Sequence, residues 1–479
     1  MNIKTRVLVV TLCALTAADA YAQAIPDSVR QNAMLLRDKA LQDSTAYDIV
    51  ESLTMEVGPR LAGSAGDAAT VRWAIELLTS LGFEHVRGEE VEVPHWDRGA
   101  LSVSITGPFL QSLVATSLGG SSGTPEEGIE ASVLRVESLA ELREKSLGEV
   151  AGHIVYIDHV MERRKTGGGY SASSRIRSCG HVVAAERGAL ATVIRSAGTS
   201  TNRIPHTGSM LRNSVPGEIP GVALSNADAD LLTYQARSGE PVTIRLHSTA
   251  RNMPKALSAN VIGEIPGVGD KADEIVLLGA HLDSWDLGTG AIDDGAGIAI
   301  IAAAAKLILD SGQPPRRTIR VVLYANEEFG LSGAKQYASK HADKIEKHVV
   351  GMEADFGAGA VWQFSSRVAE SSLDIVDELH GLLEPMSIER GNNEAYGGAD
   401  LSPLRKAGMP ILGMTQDGTN YFDYQHTAAD TLDKIDRDDL QQNVAAYVTA
   451  AYVAANIDRD FGWLPKDTKP SGTCAAEDD

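Results

Sequence analysis

The sequence predicts an α/β protein with a mostly parallel sheet that is covered by helices on both faces. From about residue 259 onward, apolar runs of strand length alternate with runs of helical length, which is typical of parallel strands joined by helices. The strand-like runs are rich in branched aliphatic residues, as expected for strands buried on both faces. The chain has 479 residues and is 43% hydrophobic, so it is long enough for two or three domains.

Residues 1–22 have the pattern of a secretory signal peptide. Lys4 and Arg6 precede an apolar stretch over 7–18, and Ala20 and Ala22 supply small residues at a cleavage site. The apolar stretch is too short to remain as a membrane span. We therefore expect an exported protein, periplasmic or secreted, with no membrane anchor.

The mature chain opens with a segment, 23–109, that we assign to the main domain. A polar helical pattern over 27–53 is followed by a turn-rich loop at 57–64 and a second helical pattern over 68–81. Residues 84–94 alternate between apolar and polar side chains, which predicts a strand.

Residues 110–254 have a different pattern of predicted elements and are expected to form an inserted, strand-rich domain. A strand expected over 105–115 leads into further short strands that are separated by glycine-rich turns, and the alternation of strand and helix resumes only near Ala259. The most unusual loops of this segment are 165–170 and 205–208. They are either flexible surface or a cover over an active site.

The main domain is predicted to continue over 255–465, and residues 466–479 are predicted to be a loose tail. The strands are expected at 259–262, 275–280, 319–324, 349–354, 361–364, 410–415, and the helices at 296–309, from after Gly333 to about 340, 371–383, 440–457.

Charge and cysteine content limit the partners of the protein. The net charge of -21 argues against nucleic acid or an anionic membrane as partner, because either would be repelled. Cys13 leaves with the signal peptide, so Cys179 and Cys474 either form a disulfide or remain two free thiols. The oligomeric state is open, with a homodimer among the alternatives.

The stretch His281-Leu-Asp283 follows a buried strand and precedes a glycine-rich loop that carries Asp293 and Asp294. Ligands bind at this edge of open α/β sheets. Asp283 lies two residues from His281 on an extended chain, so it can hold the far ring nitrogen of His281 and fix its tautomer. The motif predicts a metal site with Asp293 as a bridge, and a structural histidine beside a solvated turn is the alternative.

Further candidate ligands also follow predicted strands. Glu327 and Glu328 follow one, Asp355 follows another, and His426 lies in the loop after a third. These carboxylates would repel one another and take up protons unless cations were present. Two divalent ions would balance them, and imidazole and carboxylate ligands without cysteine favour Zn2+, with cobalt or manganese able to substitute.

These residues resemble the M28 family of zinc peptidases, and most closely its carboxypeptidase Q branch. The matching pieces occur in the order of the family across the second half of the chain: His281-Leu-Asp283, Asp293-Asp294-Gly, Asn326-Glu327-Glu328, Met352-Glu-Ala-Asp355, Gly398-Ala-Asp400-Leu-Ser-Pro403, His426-Thr-Ala-Ala-Asp430-Thr. The resemblance implies a zinc exopeptidase fold, a phosphorylase/hydrolase-like three-layer α/β sandwich. It also implies that the segment 110–254 is an inserted protease-associated domain.

The resemblance also implies a role for each residue. His281 and Asp355 would hold one of two Zn2+ ions, Glu328 and His426 the other, and Asp293 would bridge them. Glu327 would be the general base that takes the proton of a metal-activated water. Asp283 would support His281, and Asp430 would order the loop after His426.

Substrate and mechanism are defined less closely by the resemblance. It favours a small unblocked peptide, chiefly a dipeptide, attacked from its amino end. Gln425 stands where some relatives have a tyrosine that steadies the tetrahedral intermediate, so Tyr424, Tyr396 and Gln425 are all candidates for that donor. Groups that could recognise a substrate terminus are Asn392, Asn393, Glu394, Arg390, Arg405. The alternative functions are a glutaminyl cyclase-like zinc acyltransferase and a non-catalytic, receptor-like binding protein on the same fold.

Overall fold

A computed structural model describes residues 23–211, 219–468 and 474. The predicted signal peptide and most of the predicted tail lie outside these residues. Among the helices that the structure describes, none combines the length and the apolar character that crossing a bilayer requires.

The strands of the described chain are β1 (Glu84–Asp97), β2 (Leu101–Gly107), β3 (Gln111–Leu113), β4 (Ala115–Ser117), β5 (Ile129–Val136), β6 (Ile154–Ile157), β7 (Ala191–Arg195), β8 (Gly221–Leu224), β9 (Thr243–Ser248), β10 (Arg251–Ile265), β11 (Ile275–His281), β12 (Thr318–Tyr324), β13 (His348–Glu353), β14 (Val361–Arg367), β15 (Glu389–Arg390), β16 (Ile411–Gln416). The α-helices are α1 (Asp27–Ala40), α2 (Thr45–Ser52), α3 (Ala65–Ser80), α4 (Leu139–Glu144), α5 (Leu147–Val150), α6 (Tyr170–Ala185), α7 (Asn226–Ala236), α8 (Ala296–Leu309), α9 (Ser332–Lys340), α10 (Leu373–Leu383), α11 (Ser402–Ala407), α12 (Tyr421–Tyr424), α13 (Arg437–Asn456).

The first sheet has the strand order β1-β10-β12-β11-β13-β16-β14-β15. Its four central strands, β12, β11, β13 and β16, run parallel. Strand β10 pairs antiparallel with β1 and β12, and β14 pairs antiparallel with β16 and parallel with β15. The prediction of a mostly parallel sheet is confirmed for this centre, and an antiparallel edge is common on such sheets.

Helices cover both faces of the first sheet, which gives three layers. Val276 and Leu278 of β11 join the core beneath α8 and α13, while Leu277 of the same strand packs on the opposite side with α9 and α11. This alternation follows from the two-residue period of a strand. Helix α8 is apolar almost throughout and is buried from Ala296 to Ala305, as expected for a helix that packs in the interior.

A second sheet, with the order β3-β2-β9-β5-β6-β7-β8-β4, is built from the chain between β1 and β10. The chain leaves the first sheet after Asp97 and returns to it at Arg251, and these two residues pair with each other. Residues 101–107, which we assigned to the first segment of the main domain, form β2 and pair with β9. The sequence hides this crossing because apolar and polar residues alternate on both sides of it.

Two predicted elements are divided in the structure. The helical pattern over 27–53 forms α1 and α2, because Asp43 interrupts it and accepts a hydrogen bond from the Thr45 N–H at 2.8 Å, which satisfies a free donor at the start of α2. Residues 105–115, predicted as one strand, contain the turn between β2 and β3, and Pro108 lies in that turn.

Cys179 of α6 and Cys474 form a disulfide, which decides between the two alternatives left open by the sequence. The bridge joins residues 295 positions apart. It links the C-terminal part of the chain to helix α6, which packs against the second sheet. Closing so long a loop restricts the unfolded chain.

We predict that Cys474→Ser lowers the free energy of unfolding by about 2–4 kcal/mol, because the unfolded chain gains conformational freedom. Denaturant titration would measure this with and without reductant. The wild type should lose the same amount on reduction, whereas the variant should not respond. Equal stability of wild type and variant under oxidising conditions would contradict the prediction.

Candidate metal centre

The candidate ligands come together at the carboxyl edge of the first sheet. His281 is the last residue of β11, Asp355 lies two residues beyond β13, and Glu328 lies four residues beyond β12. His426 is supplied by the loop that follows β16 and α12. Because the central strands are parallel, their ends meet at one edge, so residues far apart in sequence become neighbours.

Five side chains form two groups that share Asp293. One group contains His281, Asp293 and Asp355, and the other contains Asp293, Glu328 and His426, with the ligand atoms of each group within 4.8 Å of one another. His281 Nε2 lies 3.1 Å from Asp293 Oδ1 and 3.5 Å from Asp355 Oδ1. His426 Nε2 lies 2.9 Å from Glu328 Oε2 and 3.3 Å from Asp293 Oδ2.

The donors in this cluster fit divalent cations. Two buried carboxylate oxygens, Asp293 Oδ2 and Glu328 Oε1, accept no hydrogen bond from the described residues. Leaving such atoms buried without a partner is costly, and a cation would satisfy them. Each group offers one imidazole nitrogen and two carboxylates, which is a ligand set that zinc accepts.

The main chain, and not the carboxylate, of Asp283 fixes the tautomer of His281. The Nδ1–H of His281 donates to the Asp283 carbonyl at 3.0 Å, while Asp283 Oδ1 lies 3.7 Å away, too far for a hydrogen bond. That carboxylate instead accepts the Glu327 N–H at 2.9 Å. Our expectation for the Asp283 side chain is therefore corrected: it holds the backbone of Glu327.

The inserted segment positions His426. The Thr207 N–H donates to the His426 carbonyl at 2.9 Å, and His426 Nδ1 lies 3.3 Å from the Thr207 carbonyl. His426 has a φ of 61°, a backbone conformation that costs energy for a residue other than glycine and needs such support. The loop 205–208, predicted as either surface or cover, is thus a brace for a ligand.

His206 of the same loop completes this brace. It is 1% exposed, and its Nδ1 donates to the Gln425 carbonyl at 2.8 Å. Burial, together with the charge of the neighbouring His426, lowers the pKa of His206 to about 3. His206 therefore remains neutral and serves as a fixed hydrogen-bond donor.

Sequence reasoning missed Arg60, which fixes the loop that carries Asp293. Arg60 is fully buried and donates to three backbone carbonyls, those of Leu282, Thr289 and Gly290, at 2.6 to 2.9 Å. Its partners lie more than 220 positions away, so no local pattern in the sequence could have indicated them.

Asp430 and Trp285 also hold the centre in place. Asp430 Oδ1 accepts the Ile292 N–H at 2.7 Å, so Asp430 orders the loop before Asp293, rather than the loop after His426 that we expected. The indole N–H of Trp285 donates to Glu328 Oε2 at 2.7 Å. Trp285 was not predicted, although it lies within the motif that begins at His281.

The metal-free cluster is electrostatically strained. Burial raises the pKa of Glu328 and of Asp355, and the neighbouring charge of Asp293 raises both further. Burial alone would lower the pKa of His281 and His426, but the surrounding carboxylates raise it well above its usual range. Protons therefore occupy this cluster when no cation does.

Glu327 lies beside the candidate metal ligands in a cavity of about 960 Å³. Burial raises its pKa well above the usual value, and the charges of Asp355 and Glu328 raise it further. Both sheets contribute to the cavity wall: Tyr170 and Arg177 come from α6 of the second, and Tyr396 follows β15 of the first.

The sequence offered three candidates for the donor that stabilises the tetrahedral intermediate, and the structure places two of them at the cavity. Gln425 and Tyr396 line the cavity, and Gln425 Nε2 lies 3.0 Å from His426 Nε2. Tyr424 packs against the main core and carries the Lys434 ammonium over its ring, away from the cavity.

The candidates for recognition of a substrate terminus separate in the same way. Asn392 and Glu394 line the cavity, whereas the Asn393 side chain is hydrogen-bonded to Ser366 and Val368. Arg390 is paired with Asp377, and the Arg405 guanidinium stacks on the Tyr396 ring.

Comparison with known proteins identifies the relatives of this chain. The sequence profile of peptidase family M28 matches residues 260–451. The chain is 35% identical to carboxypeptidase Q of Rattus norvegicus over 414 residues, which covers 86% of each chain.

Two solved structures extend the likeness to the fold. A peptidase M28 precursor from Shewanella amazonensis SB2B is 48% identical, with a TM-score of 0.90 over 92% of this chain and 100% of that one. A zinc aminopeptidase from Bacillus subtilis is 21% identical, with a TM-score of 0.64 over 89% of this chain and 98% of that one.

We predict that adding Zn2+ to the metal-free protein at pH 7 releases roughly two protons, one for each ligand histidine, because a metal binds only the deprotonated ligand. Calorimetric titration in buffers of different ionisation enthalpy would measure the number released. A binding heat that is the same in every buffer would contradict the prediction.

Proposed function

The chain belongs to peptidase family M28, as the sequence predicted, and from this premise we propose that it is a di-zinc exopeptidase acting on small unblocked peptides. It is a metallopeptidase by family. The observation that carries the finer proposal is the pair of three-residue groups that share Asp293, with Glu327 beside them in the same cavity.

In this proposal each group binds one ion. His281 and Asp355 would hold the first and Glu328 and His426 the second, while Asp293 directs one oxygen toward His281 and the other toward His426. The two ions together supply four positive charges against three ligand carboxylates. Bound zinc would act as a Lewis acid on the peptide carbonyl and lower the pKa of a water to about 7.

Glu327 is the proposed general base and acid. Its backbone is fixed by the Asp283 carboxylate at 2.9 Å, so its side chain is held over the cavity. It would take a proton from the attacking water and give it to the departing amine.

Gln425 is the proposed donor to the developing oxyanion. Its amide nitrogen lies beside the metal-facing nitrogen of His426 and lines the cavity. Its Oε1 has no partner among the described residues, so the side chain is not tied to another role through that atom. An amide N–H at such a position stabilises charge that develops in the transition state.

The cavity supports a small substrate. A volume of about 960 Å³ is in the range of pockets that enclose small molecules rather than long chains. Glu394 and Asn392 on its wall could receive a free amino terminus. The disulfide between Cys179 and Cys474 supports the proposal of an exported protein, because such bonds persist in oxidising compartments.

A panel of dipeptides, blocked and unblocked, tests this proposal. We expect hydrolysis of unblocked dipeptides, loss of that activity with a chelator and recovery with Zn2+, because the metal supplies the Lewis acid. A peptide with an amino-terminal glutamine would be included. Cyclisation of that peptide without hydrolysis of any dipeptide would contradict the peptidase proposal.

We predict that Glu327→Gln lowers kcat by about 100-fold to 10,000-fold, the usual contribution of a general acid or base, and retains two zinc ions. The matched control is Asp293→Asn, which should lose both activity and metal, because it removes the shared ligand. Elemental analysis and dipeptide hydrolysis would be measured on both variants. Full activity of Glu327→Gln, or two ions retained in Asp293→Asn, would contradict the assigned roles.

A further inference from the structure

Arg177 differs from the other buried arginines of the described chain. Arg195 pairs with Asp158 and Asp230, and the remaining buried arginines have carboxylate or several backbone carbonyl partners: Arg37, Arg60, Arg317. Arg177 is 8% exposed, yet it forms no ion pair with any carboxylate that the structure describes.

The contacts that Arg177 does make leave its charge unbalanced. Its Nη1 donates to the Tyr170 hydroxyl at 2.8 Å, and its Nε has no hydrogen-bond partner among the described residues. Nη1 also lies 3.4 Å from His426 Nδ1. That nitrogen carries a hydrogen when Nε2 faces a metal, and it is directed at the Thr207 carbonyl, so it cannot accept from Arg177.

The Arg177 guanidinium faces the substrate cavity. Arg177 lines the same cavity as Glu327 and Glu328. It lies next to Nδ1 of the His426 ring, whose other nitrogen, Nε2, would face the metal. A buried arginine without a counter-ion is costly, and an anion that enters the cavity would relieve this cost. Paired carboxylate oxygens match the fork of a guanidinium.

We propose that Arg177 binds the carboxyl terminus of the peptide substrate, so that the inserted segment selects dipeptides with a free carboxylate. This inference rests on the proposed function. In a dipeptide, only the bonds N–Cα and Cα–C separate the scissile amide nitrogen from the carboxyl carbon, a distance of about 2.5 Å. Each further residue adds about 3.5 Å, which would carry the carboxylate past the guanidinium.

The surroundings of Arg177 hold it in this position. Tyr170, which receives its hydrogen bond, stacks on Phe422 with ring centroids 4.7 Å apart. Arg177 and Tyr170 are seven residues apart on α6, so they lie on one face of the helix. The disulfide at Cys179 anchors the same helix. A binding group on a fixed helix loses little freedom when the ligand arrives.

The experiment compares alanyl-alanine with alanyl-alaninamide, which lacks only the charge at the carboxyl terminus. Wild type, Arg177→Met and the control Arg175→Met, on the same helix, would be assayed with Zn2+ bound. We expect wild type and control to prefer the free acid by about 100-fold in kcat/KM, as for loss of one partner of a buried charge pair. Arg177→Met should lose this preference, mainly through KM, while hydrolysis of the amide changes less than about 3-fold.

Binding provides a readout that does not depend on turnover. Calorimetry in the Glu327→Gln background should show tighter binding of alanyl-alanine than of its amide, and adding Arg177→Met should abolish that difference. Arg177→Lys, which keeps the charge without the fork, should restore part of it.

Three results would overturn the proposal. Wild type could cleave acid and amide equally well, which requires no variant to fold. Arg177→Met could lower hydrolysis of both substrates equally, which would indicate a structural role. Alanyl-glutamate α-amide, whose only carboxylate is in the side chain, could be preferred over alanyl-alanine. Failure of the proposed function is distinguishable, because then no dipeptide is hydrolysed in a zinc-dependent way.

Discussion

The position of Asp293 between two imidazoles is the interaction on which the rest of the site depends. One oxygen faces His281 and the other faces His426, and the carboxylate is 4% exposed. Burial opposes ionisation, but the hydrogen bond from His281 and the positive charges of both histidines lower the pKa of Asp293 below its usual value. The carboxylate is therefore charged at the centre of the cluster, where it can serve two cations at once.

Holding this carboxylate requires a rigid loop, and backbone contacts provide the rigidity. Arg60 and Asp430 bind main-chain groups on either side of Gly290, while Asp294 accepts the His281 N–H at 3.0 Å. Charged side chains that satisfy backbone groups inside the protein fix geometry without entering the chemistry. The Asp283 carboxylate accepts the Glu327 N–H in the same way. The candidate ligands and the proposed base are therefore held by one set of backbone contacts.

The second sheet contributes to the site as well as to the architecture. Its loop at Thr207 supports His426, and its helix α6 brings Tyr170 and Arg177 to the cavity wall. The first sheet thus supplies most of the candidate ligands and the proposed base. The second sheet supplies the loop that supports His426 and, in our proposal, Arg177, which binds the carboxyl terminus of the substrate.

The sequence by itself determined the fold class, the strand ends that carry His281, Glu328 and Asp355, and the family. These follow from local patterns, because hydrophobic periodicity and short motifs depend on neighbouring residues. Only the tertiary structure decided which groups meet. Four features depend on contacts between distant segments, for which a single sequence carries no signal. They are the backbone carbonyls that Arg60 binds, the support of His426 by Thr207, the use of the Asp283 carboxylate by Glu327 and not by His281, and the lack of an ion pair at Arg177 among the described residues.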